Sequence, residues 1–292
     1  MYFNPSKKVS DPGSEDKGPP FKIKIKSTPL KPVQQIKFLG VIIDENLSWE
    51  PHIRDLSKRL RCYIGSIKRI TDSLPKELYK TIYHTLFESH LNYGITVWGG
   101  VSKTKLEPLF ILQKKCLRIL FGDKEAYQEK FRTAVRTRLI DQQILNKDFY
   151  SREISKPLFN SNNILTVFNS YIYHTTIETF KILKYRCPIS IYDSYTISDR
   201  KDTLLTPPVK THNSSFINRT TRLWNIIRQK LRIFNFSEVK LSQVKSRLRS
   251  VIGSIQKEGD AQAWRETEID VMSTLATPTA VEFADPNMLT IE

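Results

Sequence analysis

One amphipathic pattern, starting near residue 53, limits the fold more than any other feature of this sequence. Apolar residues recur there at steps of three and four, the spacing of one buried face of an α-helix. Pro51 fits the first turn of such a helix, and Asp44 or Ser48 is placed to start it. The pattern therefore predicts a long helix with one face in a core. That face comprises Ile53, Leu56, Leu60, Tyr63, Ile64, Ile67 and Ile70.

Two more helical patterns follow in the first half of the chain. One runs from about residue 75 to 90, and the other from about residue 105 to 120, where Gly122 is placed to end it. The three patterns together predict a three-helix bundle, which we assign to residues 47–124.

The segment before the bundle has the period of β-strands. Phe21, Ile23 and Ile25 alternate with lysines, which is typical of a half-buried strand. Residues 36–43 form a second apolar run and predict one further strand. We therefore expect a short N-terminal β-hairpin within residues 21–46.

The rest of the chain divides by composition. Residues 1–20 are rich in Pro, Gly, Ser and Lys and predict a flexible lead-in. Residues 125–256 are basic and amphipathic, with the clearest helices at 165–183 and 216–231, and we expect an α-helical C-terminal domain there. Residues 257–292 are acidic with little periodicity, which predicts a disordered tail. The expected fold class is mainly α.

The charge balance favours a polyanionic partner. Lys and Arg number 46 against 30 Asp and Glu, and 44 of the basic residues face only 22 acidic ones before residue 257. Such an excess suits phosphates, because neutralising them releases condensed counterions. An inert basic surface and an anionic membrane are the alternatives.

Several classes of protein are disfavoured by what the sequence lacks. No run of 18 apolar residues and no secretory signal occurs, so we expect no membrane association and a nuclear or cytoplasmic location. Three dispersed cysteines indicate a reducing compartment, and we expect all three in the core. Without a clustered His/Cys set, a nucleotide-binding glycine loop or paired carboxylates, we predict no catalytic residues, metal, cofactor or small-molecule substrate.

The most specific physical signal is a basic face on the first predicted helix. Five residues fall within an arc of about 80° when each residue turns the helix by about 100°. A glycine among the cations would let a phosphodiester backbone approach closely. The face predicts a helix laid along nucleic acid, and a merely solvated face is the alternative. Its members are Arg54, Lys58, Arg61, Gly65 and Lys68.

Other basic clusters extend this prediction. On the third helix we expect Lys114, Lys115 and Arg118 to contact nucleic acid. Trp98 and Trp224 lie in apolar contexts and are expected in the core. The C-terminal cluster comprises Arg219, Arg222, Arg228, Lys230, Arg232, Lys240, Lys245, Arg247 and Arg249.

Ten short strings of residues follow one another along the chain in an order and spacing characteristic of one family. The strings are Phe38-Leu39-Gly40-Val41, Ile43-Asp44, Leu47-Ser48-Trp49, His52-Ile53, Leu74-Pro75, Leu78-Tyr79, His90-Leu91, Tyr93-Gly94, Val97-Trp98 and Leu112-Gln113-Lys114. Over residues 33–121 the sequence resembles jockey-like reverse transcriptases of non-LTR retrotransposons. Fainter similarity extends to about residue 250.

The resemblance implies a thumb that clamps the template–primer duplex of an RNA-directed DNA polymerase. The family's carboxylate box, F/Y-x-D-D, does not occur in this sequence, so we expect a truncated product that is not catalytic alone. Magnesium would belong to the complete family enzyme. The implied partners are an RNA–DNA or DNA duplex and the missing palm and fingers. The alternative is a non-enzymatic helical protein-interaction module, domesticated or decayed.

Overall fold

The computed structural model describes residues 33–122, 155–198, 216–231 and 239–258, together with the backbone of strand residues 24–25, 28–29 and 203–205. The chain forms two compact units, residues 1–167 and residues 168–292. The predicted lead-in over residues 1–20 and most of the predicted acidic tail, from residue 259, lie outside the described residues.

The first unit begins with two short antiparallel hairpins. Strand β1 (Lys24–Ile25) pairs with β2 (Thr28–Pro29), and β3 (Gln35–Phe38) pairs with β4 (Val41–Asp44). The prediction of one continuous strand over residues 36–43 is wrong. The chain reverses at Leu39 and Gly40, whose φ angles of 45° and 81° lie in the left-handed region that two-residue hairpin turns require.

Helices form the rest of this unit. Helix α1 is Glu50–Thr71 and α4 is Lys103–Phe121, and these two pack against each other. Helix α2 is one continuous segment whose central turn, Tyr83–Glu88, is π-helical. Its four parts are Lys76–Leu78, Tyr79–Ile82, Tyr83–Glu88 and Ser89–Asn92. Helix α3 is Ile95–Trp98, and α5 covers residues 155–161.

The predicted apolar face of α1 forms much of the core of this unit. Five of its seven members are buried, while Tyr63 is half-buried and Ile70 is 38% exposed. Trp98 is fully buried, as predicted. Other large buried side chains of this core include Tyr83, Phe87, Leu91, Leu106, Leu109, Phe110, Leu117 and Phe159.

A buried glutamine joins the segment after α5 to the bundle. Gln113 has no exposed surface, and its Nε2 donates to the carbonyl of Leu165 at 2.9 Å and to Tyr83 Oη at 2.8 Å. Its Oε1 accepts from the backbone N–H of Val167 at 2.9 Å. One amide thus makes hydrogen bonds to three polar groups, two of which belong to the segment after α5.

The second unit is also helical. It contains α6 (Val167–Tyr185, which starts at the boundary), α7 (Ile189–Tyr192), the hairpin β5–β6 (Thr196–Ser198 and Thr203–Leu205), α8 (Phe216–Leu231) and α9 (Leu241–Glu258). The predicted helices at 165–183 and 216–231 are confirmed. Its core includes Trp224, as predicted, with Phe168, Tyr171 and Phe180.

The cysteine prediction needs a correction. Cys116 is buried, but Cys62 and Cys187 are exposed. Cys62 lies on α1 beyond the edge of its apolar face, and Cys187 follows the last residue of α6 by two positions. All three thiols are free.

Candidate nucleic-acid interface

The five residues of the predicted basic face all lie exposed on α1. We name this set the basic stripe: Arg54, Lys58, Arg61, Gly65 and Lys68. Over its length the helix rises about 21 Å, at about 1.5 Å per residue. Packing of the opposite, apolar face on α4 and α2 turns the stripe toward solvent.

No carboxylate pairs with the four cations of the stripe in the part of the chain that the structure describes. The acidic residues near them on α1 pair elsewhere. Glu50 Oε1 lies 2.9 Å from Lys105 Nζ, and Asp55 Oδ2 lies 3.1 Å from Arg59 Nε. The stripe therefore keeps its positive charge available for an external anion.

Gly65, which lies one turn before the last cation of the stripe, is not required by packing inside the protein. A Cβ built on Gly65 would meet no atom within 4 Å. A glycine inside a helix costs about 0.5–1 kcal/mol relative to alanine, so the fold alone gives no reason for this residue. Along the helix its open side lies between Arg61 and Lys68.

The three candidate cations of α4 have different environments. Lys115 is exposed, whereas Lys114 is only 7% exposed. The Nζ of Lys114 lies 4.0 Å from Glu107 Oε1 and 4.5 Å from the centre of the Phe110 ring. Arg118 is half-buried, and its Nε donates to the carbonyl of Lys114 at 3.3 Å. The structure therefore gives Lys114 a role in packing, and of these three cations Lys115 is the exposed one.

The C-terminal basic cluster is also divided by burial. Arg228 is buried, and the guanidinium of Arg249 lies 5.9 Å from the centre of the Tyr173 ring. Arg232 lies outside the described residues. Four cations of the cluster are exposed: Lys230, Lys240, Lys245 and Arg247.

Sequence reasoning did not anticipate how α1 is joined to the β3–β4 hairpin. The carboxylate of Asp44 accepts from the backbone N–H groups of Ser48 and Trp49, at 3.0 and 2.9 Å. Burial alone would raise the pKa of Asp44, but these hydrogen bonds together outweigh it and hold the pKa below its ordinary value. Asp44 therefore fixes the loop that leads into α1, and α1 starts after Trp49 with Pro51 in its first turn.

His52, in the first turn of α1, is buried beside the ring of Trp98, with ring centres 5.4 Å apart. The backbone N–H of Ile42 donates to His52 Nδ1 at 3.4 Å, so the imidazole acts as an acceptor. Burial, assisted by the positive charge of Arg59, lowers the pKa of His52 from 6.5 to about 4. The side chain is therefore neutral near pH 7.

The connection between the β3–β4 hairpin and α1, which we call the joint, also includes the chain between α2 and α3. Tyr93 Oη donates to the carbonyl of Leu39 at 2.8 Å, and a Cβ on Gly40 would lie 3.4 Å from the Tyr93 ring. Trp98 Nε1 donates to the carbonyl of Tyr93 at 2.9 Å. Several of the short strings that suggested a family, within residues 38–53 and 93–98, are thus brought together in space and connect α1 to the hairpin.

Comparison with known proteins supports the resemblance over part of the chain. A probable RNA-directed DNA polymerase from transposon X-element of Drosophila melanogaster is 27% identical over 103 residues, 34% of this chain. RNA-directed DNA polymerases from the mobile element jockey are 29% identical over 103 residues in Drosophila funebris and 28% identical over 92 residues in Drosophila melanogaster, or 34% and 30% of this chain. Each match spans about a tenth of the relative, 11%, 11% and 10% of its length.

Two further comparisons gave no match. No family model and no solved structure is similar to this chain. Among the described residues, no helix is long and apolar enough to cross a membrane, and no group of three or more His, Cys, Asp or Glu side chains could hold a metal ion.

Proposed function

We propose that this chain binds a nucleic acid duplex along the basic stripe of α1. The premise is that about a third of the chain is related to the reverse transcriptases of non-LTR retrotransposons. The observation that carries the proposal is an exposed helix face with four cations, an open glycine and no carboxylate partner in the described part of the chain.

The dimensions of the stripe suit the backbone of a duplex. A rise of about 21 Å corresponds to about six base pairs at about 3.4 Å each. Lys and Arg side chains on one face can reach successive phosphates of one strand, while Gly65 lets that strand approach the helix. Contacts of this kind recognise the shape and charge of a duplex and carry no base sequence.

The relatives suggest which duplex to test first. Their names describe enzymes that synthesise DNA on an RNA template. Such synthesis produces an RNA–DNA hybrid, so we propose a hybrid as the preferred duplex. The proposal concerns binding, and polymerisation by this chain is a separate question.

The proposal is tested by the salt dependence of binding. We would measure the affinity of the full chain for a hybrid of about 12 base pairs, twice the span of the stripe, across a salt series. One variant replaces Arg54, Lys58, Arg61 and Lys68 by alanine. If each contacts one phosphate, the slope of log affinity against log salt should fall in magnitude by about 3 to 4.

A charge-matched variant separates a site from a general attraction. It replaces the exposed cations Lys230, Lys240, Lys245 and Arg247 of the second unit by alanine, with the same change in net charge. We expect its slope to stay close to that of the wild type. Equal losses in both variants would indicate attraction to net charge alone, and a loss in this variant only would move the site to the C-terminal cluster. Either result contradicts the proposal.

The exposed thiol of Cys62 allows the duplex to be located directly. Cys62 follows Arg61 on α1, Cys187 is exposed in the second unit, and burial raises the pKa of Cys116 to about 12, which keeps that thiol unreactive. We expect a bound hybrid to slow alkylation of Cys62 and leave Cys187 unchanged. Alkylation of Cys62 at the same rate with saturating hybrid would refute binding along α1.

A second candidate function, a protein-interaction module, is supported by exposed apolar side chains around the turn between β3 and β4. Phe38 is 61% exposed and Leu39 is 74% exposed, and Tyr93 and Val97 are also exposed nearby. Such side chains are typical of contact surfaces. This candidate becomes the better one if a well-folded chain binds no hybrid at any salt concentration.

A further inference from the structure

An open cleft of about 600 Å³ lies where the basic stripe ends. It is bounded by the C-terminal end of α1, the start of α2, the last turn of α4 and residues 158–162. Its volume falls within the range of about 300–1,000 Å³ in which proteins bind small organic groups. The lining residues that matter below are Asp72, Lys76, Tyr79 and Phe121.

Two aromatic rings form part of the wall of the cleft. Tyr79 and Phe121 are both half-buried, and their rings meet edge to face with centres 6.4 Å apart. Tyr79 Oη donates to the carbonyl of Thr71 at 2.9 Å, which holds the ring in place without covering its face. Aromatic faces in this setting suit stacking of a nucleobase, whatever its sequence.

The charges at the entrance distinguish a base from a phosphate. Asp72 is exposed and lies four residues beyond Lys68, so it continues the line of the stripe past the end of α1. A carboxylate there repels phosphates, but it accepts hydrogen bonds from the amino groups of bases. Lys76 is exposed and also lines the cleft, so it supplies a positive charge that attracts a phosphate.

We propose that this cleft binds one unpaired nucleobase of the same nucleic acid whose duplex part lies on the basic stripe. The inference rests on the proposed function and adds a subsite to it. The base stacks on the face of Phe121, the inclined ring of Tyr79 contacts the edge of that base, and Asp72 accepts a hydrogen bond from one of its amino groups. Bases with an exocyclic amino group, such as adenine, are therefore bound more tightly than uracil or thymine.

The test compares a blunt hybrid with hybrids that carry a short single-stranded overhang of adenines at either end of either strand. One stacked base contributes enough to expect about ten-fold tighter binding of one overhang form by the wild type. Phe121→Leu keeps an apolar side chain but removes a ring, so it should abolish most of this gain and leave the affinity for the blunt hybrid unchanged.

Two further variants separate stacking from structural effects. Tyr79→Phe keeps the ring and loses only the hydrogen bond to Thr71, so the gain from the overhang should remain. Asp72→Asn should reduce the preference for an adenine overhang over a thymine overhang. We expect the helical content and thermal midpoint of each variant to stay near those of the wild type, because all three positions are at least partly exposed.

The outcomes for the cleft and for the stripe can be told apart. The base-binding cleft is refuted if no overhang increases the affinity, or if the increase is the same in Phe121→Leu as in the wild type. Either result can occur while binding of the blunt hybrid still depends on the stripe. If the four alanine substitutions in the stripe leave binding of the blunt hybrid unchanged, the proposed function itself is refuted, whatever the effect of an overhang.

Discussion

The burial of His52 predicts a specific loss of stability in mild acid. Its pKa is about 4 in the folded chain and 6.5 in the unfolded chain. As the pH falls below 6.5 the unfolded chain takes up a proton that the folded chain does not, so the free energy of unfolding falls until the pH nears 4. At about 1.36 kcal/mol per pH unit, the whole shift corresponds to about 3 kcal/mol, of which about 2 kcal/mol should be lost by pH 5.

The comparison that isolates this effect is His52→Asn, because the asparagine Oδ1 can accept from Ile42 N–H in place of Nδ1 and does not titrate. Removing the ring that packs on Trp98 should lower stability at every pH. The quantity to compare is therefore the change in free energy of unfolding between pH 7.5 and pH 5, from denaturant titrations. We expect the wild type to lose about 2 kcal/mol more than the variant. Parallel pH profiles would refute a buried neutral His52.

Three further predictions concern the bundle, the stripe and catalysis. Gln113→Leu should lower the free energy of unfolding by about 2 kcal/mol or more in a denaturant titration, because the Leu165 carbonyl and the Val167 N–H lose a hydrogen-bond partner. An unchanged midpoint would contradict this role of Gln113. Gly65→Ala should raise stability by about 0.5–1 kcal/mol while weakening hybrid binding, and tighter binding would show that no backbone approaches Gly65. With template–primer, dNTPs and Mg²⁺ the chain should give no extension product on a gel, because the sequence has no adjacent aspartates; extension would show that this chain polymerises.

The helical part of the fold could be predicted because periodicity is a local property of the sequence. Five buried apolar residues of α1 and the ends of α8 follow from spacing alone. The turn within residues 36–43 could not be predicted so directly. The apolar run continues through Leu39, and a positive φ at leucine is uncommon, so the only local signal was Gly40.

The position of the candidate interface could be predicted from the sequence, but which of its cations are exposed could not. The number of residues between Arg54 and Lys68 places both on one face of a helix, because each residue turns the helix by a fixed angle. Whether a cation is free depends on tertiary neighbours, which spacing does not reveal. Lys114 is buried over Phe110, although in the sequence it looked as available as Lys115.

The resemblance to the family and the proposed binding to nucleic acid rest on different residues. The strings that suggested the family include Gly40, Asp44, His52, Tyr93 and Trp98, and the structure uses these side chains and turns to mount α1 on the hairpin. No residue of the basic stripe belongs to those strings. A chain could therefore keep the joint and lose the stripe, or keep the stripe on another scaffold. The joint explains why α1 is held in place, and only the charges on its outer face decide whether a phosphate backbone binds there.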